Sequence, residues 1–188
     1  KEKTVKTKIC IVGSGLGGGT IAIKLAEENI DFIIVEAGGV TRNSDNVSFE
    51  NVGREFGLRT TNSIQLGGTA NLWHGVLSPL DKIDFQKRDW IPKSGWPITL
   101  EDLEPFYKNA ADLLGIKDYN LFDIAKIPNS MKEKFSNIKF NKNILINKMF
   151  QQALPEKNFK SDILKIVKNS NNFHLYMDTV ALELYKND

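Results

Sequence analysis

The feature that most constrains the fold is a glycine-rich turn between two apolar runs in residues 8–36. The first run, residues 9–12 (ICIV), is continuous and predicts a strand buried on both faces in a parallel sheet covered by helices. Gly13, Gly15 and Gly18 follow with G-x-G-x-x-G spacing, and a second apolar run, residues 32–35 (FIIV), ends at Glu36. This order predicts a strand–helix–strand unit of the kind that binds dinucleotides.

Each residue of this motif has a predicted role. Gly13 permits the tight turn, Gly15 lets a pyrophosphate approach the backbone, and Gly18 lets the helix lie against the sheet. The helix N-terminus adds free N–H groups and a partial positive charge of about half a unit. Glu36 would accept hydrogen bonds from ribose hydroxyls and would repel a 2′-phosphate, so NADP is the least expected ligand. A glycine-rich turn that binds nothing is the structural alternative.

The helix after the turn is expected to pack through Ile21, Ala22, Leu25 and Ala26, which recur at helical spacing. Cys10 is the single cysteine, which excludes an internal disulfide. Its place in the first apolar run predicts a small core residue rather than a reactive thiol.

Composition excludes several classes of function. A net charge of +2 argues against nucleic acid or an acidic membrane surface as the partner. The two histidines form no Cys/His cluster with metal-ligand spacing, so no metal site is expected. No apolar run approaches the roughly 20 residues of a membrane span, and the first residues contain no apolar run of the kind found in signal peptides. A cytoplasmic location is therefore expected.

Residues 65–75 (QLGGTANLWHG) form a second glycine motif. Gly67 and Gly68 permit a sharp turn and the close approach of a flat ligand, and a Trp-His pair follows them. Composition alone leaves two readings open, because a packed tryptophan after a glycine turn is also common in loops without a ligand.

The rest of the chain is read from local patterns. Residues 41–63 predict a long polar loop, and residues 81–99 predict extended chain in which Trp90 and Trp96 cover a surface or hinge. Thr99 is expected to cap a helix that ends at Gly115, with its main part beginning at about Pro105 and its aromatic stripe in a core.

Three later segments also carry a predicted structure. A strand is expected within residues 138–147 and a helix at residues 159–167. Residues 173–185 are expected to form strand, with His174 as a structural strand residue.

Taken together, the motifs resemble the N-terminal part of the GMC (glucose–methanol–choline) flavoprotein oxidoreductases. Within that family they are similar to the bacterial sugar and gluconate dehydrogenases and to pyranose oxidases. The resemblance covers residues 8–116 closely and residues 173–184 loosely. It is carried by residues 11–15, Gly18, and residues 36–38, 66–75, 88–90, 94–98 and 103–107.

The resemblance implies FAD as the cofactor, with Glu36 at the adenosine ribose and the second glycine motif beside the isoalloxazine ring. Some relatives attach FAD through a histidine where this chain has Leu72, so non-covalent FAD is expected. The implied cofactor-binding residues are Gly13, Ser14, Gly15, Leu16, Gly17, Gly18, Glu36, Ala37, Gly67, Gly68, Thr69, Asn71, Leu72, Trp73, His74 and Gly75.

The resemblance also implies an activity. Family members oxidise an alcohol, often a sugar hydroxyl, to a carbonyl while hydride passes to the flavin. Their histidine base lies far along a longer chain, so no catalytic residue is assigned here, and His74 is not given that role. The 188 residues alone are expected not to turn over alcohols, and the motifs leave the electron acceptor open.

The expected fold is therefore α/β, with a Rossmann-like FAD-binding βαβ domain and the start of a second, substrate-side α+β domain. The expected segments are residues 1–98 for the first part of the FAD domain, 99–172 for the substrate domain, and 173–188 for strand returning to the FAD domain. Two alternatives remain: an NAD-dependent dehydrogenase, and a truncated, non-catalytic nucleotide-binding domain.

Overall fold

The computed structural model describes residues 4–41, 52–54, 57, 61–135, 141 and 144–186. These residues belong to two compact units, Lys1–Trp73 with Asn158–Asp188, and His74–Lys157. Short 3₁₀ helices cover Gly68–Asn71 and Tyr119–Phe122. In chain order the other elements are β1 (Cys10–Val12), α1 (Leu16–Glu27), β2 (Phe32–Val35), β3 (Val76–Leu77), α2 (Lys82–Phe85), α3 (Leu100–Leu114), α4 (Asn129–Phe135), β4 (Gln151–Gln152), α5 (Phe159–Asn169) and β5 (Phe173–Tyr176).

The first unit contains a parallel three-stranded sheet in the order β1-β2-β5. Ile34 of the central strand lies opposite Ile11 on one side and Leu175 on the other. The α/β class expected from the sequence is confirmed, as is the strand at residues 32–35. Helix α1 connects the parallel strands β1 and β2, and the glycine turn lies between the carboxyl end of β1 and the start of this helix. Ligands of α/β sheets bind at this end of the strands.

One face of this sheet holds the core of the first unit. Ile11, Phe32, Ile34 and Phe173 are buried there in one cluster, together with residues of both α1 and α5. The rings of Phe32 and Phe173 are stacked with their centroids 4.8 Å apart. Both helices therefore cover the same face of the sheet.

The opposite face corrects the expectation that β1 is buried on both faces. Cys10 is exposed, not a core residue, and Val12 is 55% exposed. Successive side chains of a strand point to opposite faces, so the helices that bury Ile11 leave its two neighbours uncovered. His174 is a strand residue, as expected, and is exposed beside Ile33 on this same face.

The buried face of α1 is shifted around the helix from the expected stripe. Ala22, Leu25 and Ala26 pack into the core cluster, but Ile21 is exposed. The buried residues of the helix are Gly19, Ala22 and Ile23, which centre the packed face on a side of α1 away from Ile21. The prediction for Ile21 is therefore wrong.

The bounds of the first unit differ from the expected segments because of α5. The predicted helix at residues 159–167 is present and extends to Asn169, with the Asn158 side chain accepting a hydrogen bond from the Ser161 N–H at 3.0 Å. It packs against α1 and contributes Ile163 to the core of the first unit. The chain therefore rejoins this unit at Asn158 rather than at residue 173 and leaves it after Trp73 rather than after residue 98.

The second unit has its own small core. Ala111, Ile116 and Ala153 are buried together, and Leu77, Tyr119 and Phe122 pack around them. Strands β3 and β4 pair antiparallel, with Val76 opposite Gln152. The predicted cap of α3 is present, since the Thr99 hydroxyl and the Asp102 carboxylate form a reciprocal capping box. Gly115 ends the helix with φ +88°, as predicted.

The predicted break before Pro105 is wrong, because helix α3 runs continuously with this proline inside it. The ring removes one N–H, the one that would donate to Glu101, and the capped first turn holds the helix across that gap. The aromatic stripe is only partly buried, since Tyr107 is half-buried and Phe106 is not. Phe106 is 64% exposed, and the buried residue of this helix is the small Ala111.

The structure changes two strand predictions. Residues 144–147 are exposed and are not strand, and residues 138–140 with 142–143 lie outside the described residues. Residues 179–185 pair with no described strand, and Leu182 and Leu184 are exposed. Asp178, two residues after the end of β5, adopts φ +51°, which turns the chain away from the strand direction.

Residues 41–63 and 81–99 are the two segments predicted to be loop or extended chain. Most of residues 41–63 lies outside the described residues. Within residues 81–99 the short helix α2, capped by Asp81, was not predicted. Trp90 and Trp96 are surface residues there, 78% and 61% exposed. No helix in the described ranges is long and apolar enough to cross a membrane.

Candidate functional site

The first glycine turn presents the N-terminus of α1 without a protein cap. Gly13 has φ +86° and donates its N–H to the carbonyl of Val35 at 2.8 Å, which ties the turn to the central strand. Gly15 is the N-cap residue, with no side-chain capping hydrogen bond and no acidic residue in the first turn. The positive end of the helix is therefore not neutralised by these residues, and this end of a helix favours anions.

Gly18 and Gly15 differ in the reason for which glycine occupies the position. A Cβ on Gly18 would overlap the carbonyl oxygen of Gly13 and lie 3.0 Å from Cγ2 of Ile11, so Gly18 has the packing role predicted for it. A Cβ on Gly15 would meet no atom of the described residues within 4 Å, and its φ is −64°. In the described chain, neither packing nor backbone conformation requires glycine at position 15. A glycine here is consistent with a ligand that comes close to the backbone.

The second glycine turn contacts the first. Gly67 and Gly68 have φ +87° and +58°, and a Cβ on Gly68 would lie 3.1 Å from Cα of Gly15. The side-chain amide of Asn71 donates to the carbonyls of Leu66 and Gly68, each at 2.9 Å, and holds the turn in shape. The structure thus brings together two motifs that are about 50 residues apart in the sequence.

Glu36 lies beneath the first turn and is only 5% exposed. Its Oε2 accepts hydrogen bonds from the N–H of Ser14, at 2.8 Å, and from the Ser14 hydroxyl. Its Oε1 accepts from the N–H of Gly38 at 2.9 Å. A carboxylate has about four acceptor positions, so the chain itself uses most of this one and leaves one position on Oε1.

The remaining predicted residues of the first unit surround these turns. Leu16 and Gly17 form the exposed start of α1, and Ala37 is half-buried after β2. The Thr69 hydroxyl accepts a hydrogen bond from the N–H of Ser63 at 3.2 Å. Leu72 and Trp73 follow the 3₁₀ helix and are half-buried.

His74 and Gly75 belong to the second unit, so the second motif is divided between the units. The carbonyl of His74 accepts a hydrogen bond from Nε2 of Gln152 at 2.8 Å. Gly75 accepts one from the N–H of Ala153 at 2.8 Å and has φ +68°, with Ala153 O 2.5 Å from where a Cβ would stand. Their described contacts are those of a strand connection.

Sequence reasoning missed two supports of the site. The Thr179 N–H donates to the backbone carbonyl of Glu36 at 3.0 Å, and the Asp178 N–H donates to Gly38 at 3.2 Å, so the chain after β5 braces the acidic residue. Leu66, fully buried in the core, holds the second turn in place. Both are tertiary contacts, and no local pattern marks them.

The described residues contain no group of three His, Cys, Asp or Glu side chains able to hold a metal ion. Comparison of the sequence with profiles of known protein families and with curated proteins gives no match. The resemblance to GMC oxidoreductases is therefore supported by the sequence motifs alone.

Proposed function

We propose that the first unit binds the ADP part of FAD and that the chain contributes it to a GMC-type oxidoreductase acting on CH–OH groups. The observation that carries the proposal is the uncapped N-terminus of α1, where Gly15 has room beside its backbone and Gly68 packs on its other side. Backbone N–H groups and the helix dipole at such a terminus suit a pyrophosphate.

The acidic residue supports the same ligand. Glu36 follows β2 directly, at the position where nucleotide-binding βαβ units place a ribose-binding carboxylate. Its Oε1 retains one acceptor position for a ribose hydroxyl. Burial of the carboxylate beside the turn disfavours a 2′-phosphate, since a second negative charge there would be repelled.

FAD is proposed ahead of NAD because of the second glycine motif. The Gly67–Gly68 turn lies against the Gly15 backbone, so both glycine motifs belong to one site. The order of the motifs resembles that of GMC oxidoreductases, for which FAD is the cofactor. Leu72 offers no attachment atom, so the proposed flavin is non-covalent.

The proposed chemistry divides between cofactor and chain. A bound flavin accepts a hydride from an alcohol or sugar carbon. This chain's residues bind and orient the nucleotide half: α1 neutralises the phosphates, Glu36 accepts from the ribose, and the second turn excludes water from the pyrophosphate. No residue described here is assigned as the base for the hydroxyl proton.

The test is a titration of purified protein with FAD, followed by absorbance and flavin fluorescence, and then denaturation. We expect saturable binding and release of the flavin on denaturation. Gly15→Ala should weaken binding roughly tenfold or more, because the new methyl group displaces the phosphate from the backbone donors. Its thermal stability should stay near that of wild type, since the methyl group meets no described atom within 4 Å.

Ile21→Ala is the matched control, because this exposed residue lies on the same helix beyond its first turn. It should bind FAD as wild type does. Binding of NADH without FAD would favour the dehydrogenase alternative. Failure to bind FAD, NADH and ADP would refute the nucleotide site itself.

A further inference from the structure

The two glycine turns and the acidic residue are joined through one side chain, that of Ser14. Its hydroxyl accepts a hydrogen bond from the Gly67 N–H at 2.9 Å and donates one to Oε2 of Glu36. Its backbone N–H donates to the same oxygen at 2.8 Å. Ser14 is fully buried, so these bonds do not compete with water.

A hydroxyl group is required for this link, because it alone among small side chains both donates and accepts strongly. Alanine would leave the buried Gly67 N–H and one lone pair of Glu36 without their partner. Threonine would add a methyl group at a position with no exposed surface. Nothing in the G-x-G-x-x-G spacing predicts serine here, since this position of the motif is variable.

We propose that Ser14 is a positioning residue for the nucleotide site, a proposal that rests on the function proposed above. Together with two backbone N–H groups, its hydroxyl fixes which oxygen of Glu36 faces the ribose, and it locks the Gly67–Gly68 turn onto the first glycine turn. With Oε2 held by Ser14, Oε1 is the oxygen left to accept from the ribose. One hydroxyl thus sets the ribose and pyrophosphate contacts together, before the ligand binds.

The consequence for binding is an energetic coupling between Ser14 and Glu36. Ser14→Ala should weaken ADP binding roughly tenfold in a chain with Glu36 intact. In a Glu36→Gln chain the same substitution should cost less ADP affinity than it does beside the native carboxylate, because the ribose contact is already weakened and only the link to Gly67 remains to be lost. A merely structural effect of Ser14 would lower affinity equally in both backgrounds.

The link itself is tested without any nucleotide, by amide hydrogen exchange of Gly67 measured by NMR. Ser14→Ala should speed exchange at Gly67 by about tenfold or more, since its N–H loses its acceptor. The Gly13 amide, which donates to Val35, is the internal control and should change little.

The experiment compares wild type, Ser14→Ala, Glu36→Gln and the double variant in ADP titration calorimetry, with exchange measured on the first two. Non-additive losses in affinity together with faster Gly67 exchange support the proposal. Equal losses in both backgrounds, or unchanged exchange at Gly67, overturn it. If wild type binds no ADP, the proposed nucleotide function is wrong, and so is the role of Ser14 in positioning a ligand. The exchange data would still show whether the Ser14 link holds the turn. A Ser14→Ala chain too unstable to titrate is replaced by Ser14→Cys, whose weaker hydrogen bonds should give the same pattern at smaller size.

Discussion

Gly19 and Phe159 meet where α1 packs against α5: a Cβ on Gly19 would lie 2.6 Å from Cδ1 of the phenylalanine ring and 3.1 Å from its Cγ. Phe159 is itself buried and begins α5. The close approach of the two helices therefore depends on hydrogen at position 19, although this glycine is not one of the three that define the nucleotide motif.

Gly19→Ala should destabilise the first unit by about 1–3 kcal/mol, because the methyl group forces Phe159 or the helix to move. This loss should exceed the gain in helix propensity from alanine, which is at most about 1 kcal/mol. The measurement is urea unfolding followed by circular dichroism.

Gly17→Ala is the control for that prediction. It lies in the same helix, and its Cβ would meet no described atom within 4 Å. It should leave stability unchanged or raise it slightly. Equal losses from the two substitutions would contradict a specific contact between Gly19 and Phe159.

The cap of α3 gives a prediction for the second unit. The Thr99 hydroxyl accepts the Asp102 N–H at 3.2 Å, so Thr99→Ala should cost about 0.5–2 kcal/mol of stability. Thr99→Ser keeps the hydroxyl and should lose much less. Thermal unfolding of both variants measures the difference, and a serine variant as unstable as the alanine variant would show that the methyl group, not the cap, matters.

The same cap predicts how stability depends on pH. Hydrogen bonds from the backbone N–H of Thr99 and then from its hydroxyl hold the pKa of Asp102 below its ordinary value of 3.8. The contribution of this carboxylate is therefore complete above the unfolded pKa and is lost as the pH falls through the lower folded pKa. The stability advantage of wild type over Asp102→Asn should shrink as the pH is lowered from about 5 to about 2. An advantage that stayed constant over this range would mean that the charge of Asp102 does not act through the cap.

Gly115 and Gly75 both have a positive φ, but only at Gly75 would a side chain also meet a close steric contact. A Cβ on Gly115 would make only ordinary contacts, 3.8 Å from Cβ of Ala153, so Gly115→Ala should cost about 1–2 kcal/mol from backbone strain alone. Gly115→Asn should cost less, because asparagine tolerates this conformation better. Gly75→Ala adds a contact 2.5 Å from the Ala153 carbonyl and should cost more than Gly115→Ala. Unfolding free energies of the three variants test this order.

The sequence predicted what is determined locally. Turn glycines at Gly13, Gly67 and Gly115, the cap at Thr99 and the strand at residues 32–35 follow from short-range backbone geometry, and all are present. The contact between the two glycine turns could be expected only from the resemblance to a family, because the hydrogen bond that joins them spans 53 residues.

What the sequence did not predict depends on packing. An apolar run of three or four residues does not reveal that both helices cover one face of the sheet, and for this reason the burial of Cys10 was predicted wrongly. Nor does a proline reveal that a well-capped helix continues through it, as α3 does at Pro105. The Ser14 link was missed because its two partners come from different strands and turns.

The exposure of the outer face of β1 can be measured directly at Cys10. It is the single thiol of the chain, and it lies on β1 facing away from both helices. A maleimide dye therefore attaches at one known atom, its Sγ, with no substitution in the protein. At a fixed pH and without added thiols, the rate of that reaction reports how accessible this face of β1 is to solvent.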